Sequence, residues 1–253
     1  MLNLIQNEHM KWFMKKSTKV VFLAIAVLML GMALVMRAIT TNAGITETLP
    51  GFVAFTSNFL VIVQFFAVAA AGSIVASEFE KGTIKLLLIR PKSRSTILLS
   101  KYLTSILISL YYLAAFFVFS VIWGAIFFSG EAFSGQEAQG IWIAYGVSYL
   151  ETFMMVAFAF MLSSVFRNSA LAVGLSIVVG VGAKMLAGIL SEFQVQWGII
   201  LLFANTNLSQ YMEGSQTYFP GMTLPFSLLI IIAHLIFFVG TAWLFFLKRD
   251  VAN

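Results

Sequence analysis

The sequence predicts an all-α, polytopic membrane protein. It reads as a single domain over residues 1–253, with six transmembrane helices, an N-terminal interfacial helix and both termini in the cytoplasm. Three observations carry this. First, hydrophobic residues make up 60% of the chain and charged residues only 10%. A soluble domain carries roughly a quarter charged residues, so lipid has to be part of the solvent. Second, six apolar runs are each long enough to cross about 30 Å of hydrocarbon at ~1.5 Å per residue. Third, the basic residues gather on one side of the arrangement those runs define.

The runs are Val20–Met36, Phe52–Ala76, Ile97–Phe128, Ile141–Phe166, Ala170–Leu190 and Leu224–Leu247. Barrel strands would alternate polar and apolar residues, so unbroken runs point to helices. The third run is longer than a bilayer needs. Its first turn or two, holding Lys101 and Tyr102, is expected to stand in the cytoplasm.

Orientation follows from Lys and Arg. The N-terminal segment has Lys11, Lys15, Lys16 and Lys19. The loop between runs two and three has Lys81, Lys85, Arg90, Lys92 and Arg94, with Lys101 just beyond. Arg167 lies between runs four and five, and Lys248 and Arg249 follow run six. These thirteen of the fifteen basic residues share one side. The opposite loops hold Arg37 and five acids: Glu47, Glu131, Glu137, Glu192 and Glu213. The excess of Lys and Arg places its side in the cytoplasm. The net charge of +5 is then a topology signal, and no nucleic-acid partner is expected. The absence of cysteine excludes a disulfide scaffold and a thiolate metal site. The first sixteen residues are amphipathic and no small-residue cleavage site follows the first apolar run, so no secretory signal peptide is expected.

Two further segments are too short to span. Residues 1–16 place Leu2, Ile5, His9, Trp12 and Phe13 on one helical face with Lys on the other. That pattern suits an interfacial helix on the cytoplasmic leaflet, the alternative being a frayed basic tail. The outer loop over residues 191–223 contains the apolar run Trp197–Ala204, which reads as a re-entrant or interfacial helix rather than a loose loop.

The stretch from Ala76 to Lys101, ASEFEKGTIKLLLIRPKSRSTILLSK, is the main cytoplasmic connection. Glu78 and Glu80 end run two. Gly82 permits a turn and Thr83 can cap a new helix. Ile84, Leu87 and Leu88 share one face of that helix. Pro91 stops it, and Ser93 or Ser95 caps the next. A short, bracketed helix over this part of residues 78–95 is expected to lie across the inner face of the membrane. A basic loop that only sets topology is the plainer reading.

The order of acids, Gly-Thr, short apolar helix, Pro and Ser-Arg resembles the permease subunits of ABC-2-type transporters. It is most similar to the bacitracin, lantibiotic and peptide-toxin exporters of Gram-positive bacteria. The resemblance covers the whole chain, and EFEKGT…RPKSR is its specific part. It implies that Glu78, Glu80, Gly82, Thr83, Ile84, Leu87, Leu88, Pro91, Ser93 and Arg94 form a coupling helix and its flanks, seated on a nucleotide-binding subunit. It also implies two ATPase copies, a second copy of this permease or a related one, and amphipathic or hydrophobic peptides as cargo for export or self-immunity. The sequence has no G-x-x-x-x-G-K-[ST] run to cradle phosphates, so the chain is not expected to be an enzyme. ATP and Mg would sit on the partner ATPase, and no cofactor on this chain.

Three ionisable residues fall inside spans: Glu151, Lys184 and His234. Each lies roughly 10–15 Å below the outer boundary at ~1.5 Å per residue. At such depth ionisable groups are expected to pair or to face a wet cavity. A Glu151–Lys184 contact is possible, with His234 a further partner. They suggest either a polar site on a translocation route or a buried structural pair. The glycines of the fifth run, among them Gly174, Gly180, Gly182 and Gly188, read as helix packing. Met154, Met155 and Met161 read as core or lipid packing. Other functions consistent with the sequence are an ion-coupled secondary transporter or channel using Glu151, Lys184 and His234, and a non-transporting immunity or sensor protein. An intramembrane enzyme finds no support, because neither His-Glu-x-x-His nor G-x-S-x-G occurs.

Overall fold

The computed structural model describes residues 1–84, 92–128, 133, 135–212 and 214–248. Among them every regular element is a helix: α1 (Leu2–Met14), α2 (Lys16–Ala43), α3 (Leu49–Ser57), α4 (Val61–Ile74), α5 (Ala76–Glu80), α6 (Arg94–Phe127), α7 (Gly135–Phe166), α8 (Ser169–Glu192), α9 (Leu202–Thr206) and α10 (Leu224–Lys248). Two 3-10 turns, Gln196–Ile200 and Leu208–Tyr211, flank α9. Five helices, α2, α6, α7, α8 and α10, are long and apolar enough to cross a membrane. The pair α3 and α4, bent by 51°, makes a sixth if counted as one span.

Each apolar run lies on these helices, α2 and α7 extending well past the limits of their runs, and the second span departs from expectation in being broken. Asn58 Nδ2 donates to the carbonyls of Ala54 and Phe55, and Ser57 Oγ donates to Ala54 O. Side chains that occupy these carbonyls compete with the helical ladder, and the chain bends there. A second break follows at Val75. Ser163 Oγ of α7 accepts from the backbone N–H of Val75 and of Ala76, at 3.2 and 2.9 Å. That hydroxyl satisfies donors left free where α4 gives way to α5.

Capping residues set the other boundaries. Ser93 accepts from Thr96 N at the start of α6, as expected from the sequence. Asn168 does the same for α8 through Leu171 N. Thr48 caps α3 by accepting from Gly51 N, with Pro50 in the first turn. α2 ends at Gly44, whose φ of 64° is the left-handed conformation that closes many helices.

α7 is the central helix: 61% of its apolar window is buried, against 17% for α2 and for α10. One core layer joins Val75, Ile97, Tyr102, Phe160 and Phe246. A second joins Ile25, Met29, Val63, Ala67, Phe116 and Val156. Met154, Met155 and Met161 are buried in these layers, which accords with packing. Large apolar residues such as Leu23, Val27, Val178, Leu229 and Ile236 stay exposed on the peripheral helices. Outward-facing apolar surface of this extent fits lipid as the surrounding solvent. Glycine packing is selective: a β-carbon at Gly180 would collide with Met155, whereas Gly174, Gly182 and Gly188 meet nothing.

Packing adds detail to two expectations. Lys101 and Tyr102, expected on the cytoplasmic side of run three, are packed inside the protein there, Lys101 completely buried. α1 packs on the protein through Leu4 and Trp12, while Leu2 and Phe13 of the expected Leu2–Ile5–His9–Trp12–Phe13 face stay exposed. The reason is contact with α6: Trp12 stacks on Tyr111 and meets Tyr112 edge-on, which selects the side of α1 that packs. The apolar run of the outer loop forms two short helices, the first 3-10 turn and α9, rather than one.

Candidate functional site

At one end of the bundle, α1, α5 and the start of α6 meet around four charges. Lys101 Nζ lies 3.0 Å from Glu8 Oε2, 3.2 Å from Glu78 Oε1 and 3.3 Å from the Ile74 carbonyl. Lys11 Nζ bridges the same two carboxylates, at 3.1 Å to Glu8 and 3.0 Å to Glu78. The Lys101 side chain is 1% exposed and the two carboxylates 11% and 12%. A buried ammonium is tolerated only with this many partners. Thr83 Oγ1 also donates to the Glu78 carboxylate.

The electrostatics follow from this geometry. Burial alone would push the Glu78 carboxyl upward, but Lys101, the Thr83 hydroxyl and Lys11 together hold it at about 2. Burial would likewise lower the Lys11 ammonium; Glu78 and Glu8 outweigh it and raise its pKa.

Glu80, two residues on, makes a different tie. Its carboxylate accepts from Ser169 N at 2.7 Å and from Ser169 Oγ at 2.8 Å. These bonds, the backbone one first, depress its pKa. The carboxylate sits at the N-terminus of α8, where the helix dipole favours an anion. Beside it the Arg167 guanidinium lies 4.5 Å from the centre of the Phe79 ring. Across the loop, Arg94 Nη1 donates to Leu247 O near the end of α10, at 3.2 Å, and Trp243 Nε1 donates to Ser95 Oγ.

Most of the residues singled out between Glu78 and Arg94 therefore gather at this end. Gly82 turns the chain with φ of 67°. Ile84 is buried in the same core cluster as Leu4, Ile97 and Leu98. Thr83 spends its hydroxyl on Glu78. Leu87, Leu88 and Pro91 lie outside the described residues. Sequence reasoning missed Glu8 and Ser169 and undervalued Lys11 and Lys101. The one available signal was Glu8 itself, an acid four residues from both Leu4 and Trp12 and so on the packed face of α1.

The second candidate site lies between α7 and α8, with the Lys184 side chain 57% exposed and Glu151 15%. Lys184 Nζ of α8 binds both oxygens of Glu151 of α7, at 2.7 and 3.0 Å. Both residues line a cavity of about 430 Å³ together with Gln64, Asn58, Asn207 and Tyr218. His234 does not join them: its Nδ1 faces Ile230 O at 2.9 Å, and its ring meets Phe238. Among the described residues no group of acids and histidines is arranged to hold a metal ion.

A family described as "Protein of unknown function (DUF2705)" matches over residues 13–252. The chain belongs to this family. It is 39% identical over 244 residues to "Uncharacterized membrane protein YdbK" of Bacillus subtilis (strain 168), covering 96% of this chain and 99% of that one. It is 40% identical over 225 residues to "Uncharacterized protein YhcI" of the same organism, covering 81% and 70% respectively. The chain is a membrane protein with several transmembrane helices. In this DUF2705 protein the family match begins at residue 13, so Glu78, Glu80, Lys101, Glu151 and Lys184 lie within it while Glu8 and Lys11 precede it.

Proposed function

We propose that this DUF2705 protein is the permease subunit of an ABC-2-type exporter driven by a separate ATPase. The observation that carries the reading is the double anchoring of one short connection. On its near side Glu78 binds α1 and α6, and Glu80 binds α8. On its far side Arg94 reaches α10. A push on the connection would be passed to the ends of four helices, which is what coupling to an external motor requires.

In this reading residues 78–95 form the coupling element, with Ile84 anchoring its start in the core and Leu87 and Leu88 on the ATPase-facing helix. The subunit sits in the cell membrane with both termini cytoplasmic. Two permeases, identical or related, pair with two ATPases. ATP and Mg bind only to the ATPases, and this chain catalyses no reaction. The cargo is an amphipathic or hydrophobic peptide, such as a peptide antibiotic, bacteriocin or peptide toxin, exported for secretion or for immunity and resistance. Nucleotide-driven movement of the coupling element tilts the spans and switches access across the permease interface.

The Glu151–Lys184 pair in its cavity favours one other reading: an ion-coupled transporter or channel acting alone. Co-expression with a candidate ABC ATPase from the same genome, followed by purification through a tag on this chain, separates the two. Co-purification of an ATPase stimulated by candidate peptides is the expected result. Ion-driven transport by the chain alone in liposomes, with no ATPase bound, would overturn it. A chain that neither transports nor binds an ATPase would be the immunity or sensor protein.

A further inference from the structure

A cavity of about 770 Å³ opens beside the charge cluster, between α1, α2 and the α4–α5 segment. It has two chemistries stacked along one wall. Lys11, Lys15 and Lys81 line its rim, and Phe66, Ala70 and Val21 line its floor. Along α4 and α5 the lining steps from Phe66 through Ala70 and Ser73 to Ser77 and Lys81. At ~1.5 Å per residue, Phe66 to Ser77 spans roughly 16 Å. The ligand that fits has an anionic head and an apolar tail.

The charge balance says which head. Lys11, Lys15, Lys81 and Lys101 bring four positive charges, and Glu8 and Glu78 bring two negative ones. Both carboxylates are already shared by Lys11 and Lys101. Among the described residues neither Lys15 nor Lys81 forms an ion pair. Although its side chain reaches solvent, partial desolvation at the rim and then the Lys81 ammonium lower the pKa of Lys15, and the Glu8 and Glu78 carboxylates do not offset them. These six residues carry a surplus of two positive charges; Glu80 beside Lys81 offsets part of it, and the remainder calls for an anion.

The surroundings say which tail. α2 is a peripheral helix, and Val20 and Leu23, next to the lining residue Val21, are exposed. The cavity is flanked by surface that faces hydrocarbon, at the level where α1 and the first charged turns mark the membrane boundary. We propose that it holds one anionic phospholipid, its phosphodiester between Lys15 and Lys81 and one acyl chain along Phe66 and Ala70. The lipid would bridge α1 to α5 beside the charge cluster. This site does not rest on the ATPase reading.

The test uses the full chain purified in a neutral detergent and native mass spectrometry of retained lipid. Dioleoylphosphatidylglycerol, dioleoylphosphatidylcholine and free glycerol phosphate are offered separately. The phosphatidylglycerol is retained roughly thirtyfold more strongly than the phosphatidylcholine, the effect of two ammoniums at the membrane surface. Glycerol phosphate alone is not retained. Lys15→Gln with Lys81→Gln, both at exposed positions, reduces phosphatidylglycerol retention to the phosphatidylcholine level. Ala70→Phe, which fills the floor and leaves every charge in place, also reduces it. Equal retention of the two lipids overturns the proposal. So does binding of glycerol phosphate as strong as that of the lipid, or wild-type retention by the lysine double variant.

Discussion

The Lys101 ammonium lies 3.2 Å from the Glu78 carboxylate and is sealed from solvent, joining the first buried turns of α6 to α5, the short helix that begins the connection leading into it. Glu8, 93 residues before Lys101, completes the contact from α1. Removing one partner of a buried ion pair strands the others, at a cost of about 3–5 kcal/mol. Lys101→Met should therefore lower the unfolding temperature and raise hydrogen exchange throughout α1. Lys11 is half-exposed, and its bridge to the same carboxylates contributes only about 0–1 kcal/mol. Lys11→Met should leave both measurements close to wild type. Equal effects of the two substitutions would show that burial of Lys101 is not what holds α1.

Acid should loosen the same contact. The Glu78 carboxyl falls from an ordinary 4.5 to about 2 in the folded chain. A depressed carboxyl stabilises the fold fully above the unfolded value and loses that contribution as pH falls through the folded one. α1 should stay docked above pH 4.5 and release progressively toward pH 2. Pepsin, active across this window, should cut within α1 only at its lower end. Glu78→Gln should already be loosened at neutral pH and show a flatter profile.

The parts of this end that were legible in the sequence are the local ones. Gly82 and Ser93 carry their conformations in their own chemistry: a positive φ at one, a hydroxyl that caps α6 at the other. The spans were legible because their apolar runs need no partner to be recognised. The packed face of α1 was not, because apolar residues at 2, 4, 5, 12 and 13 allow more than one stripe and contact with Tyr111 and Tyr112 decides between them. The break at Asn58 depends on where a side-chain amide chooses to donate, which an apolar run conceals. The Lys101–Glu8–Glu78–Lys11 cluster joins three distant segments, and no spacing rule connects them.

Glu80 offers a sharper test of coupling than of stability. Its carboxylate is exposed and its partner is the first turn of α8, so Glu80→Ala should still insert and fold. What it removes is the link between the connection and α8. If the connection transmits force, ATPase stimulation by cargo should drop severalfold in the purified complex while basal ATPase activity persists. Gly82→Pro combined with Glu80→Arg should abolish the stimulation with membrane insertion intact, because the φ of 67° at Gly82 is closed to proline. Normal stimulation in both proteins would argue against a mechanical role for the segment.

The Glu151–Lys184 pair separates the two transport readings. Both carboxylate oxygens hold the ammonium, and the pair lines a cavity rather than a packed interface. A pair placed so can act as a lock between access states only if its energy differs between them. A difference of about 1.4 kcal/mol would change the transport rate about tenfold. Glu151→Gln should then assemble normally and alter cargo export by that order. Exchanging the charges, Glu151→Lys with Lys184→Glu, should restore it, since a lock needs opposite charges and not their order. An ion relay behaves otherwise: moving the carboxylate to α8 displaces the titrating group, so the exchanged protein would stay inactive. Wild-type export by Glu151→Gln would leave the pair a structural contact between α7 and α8.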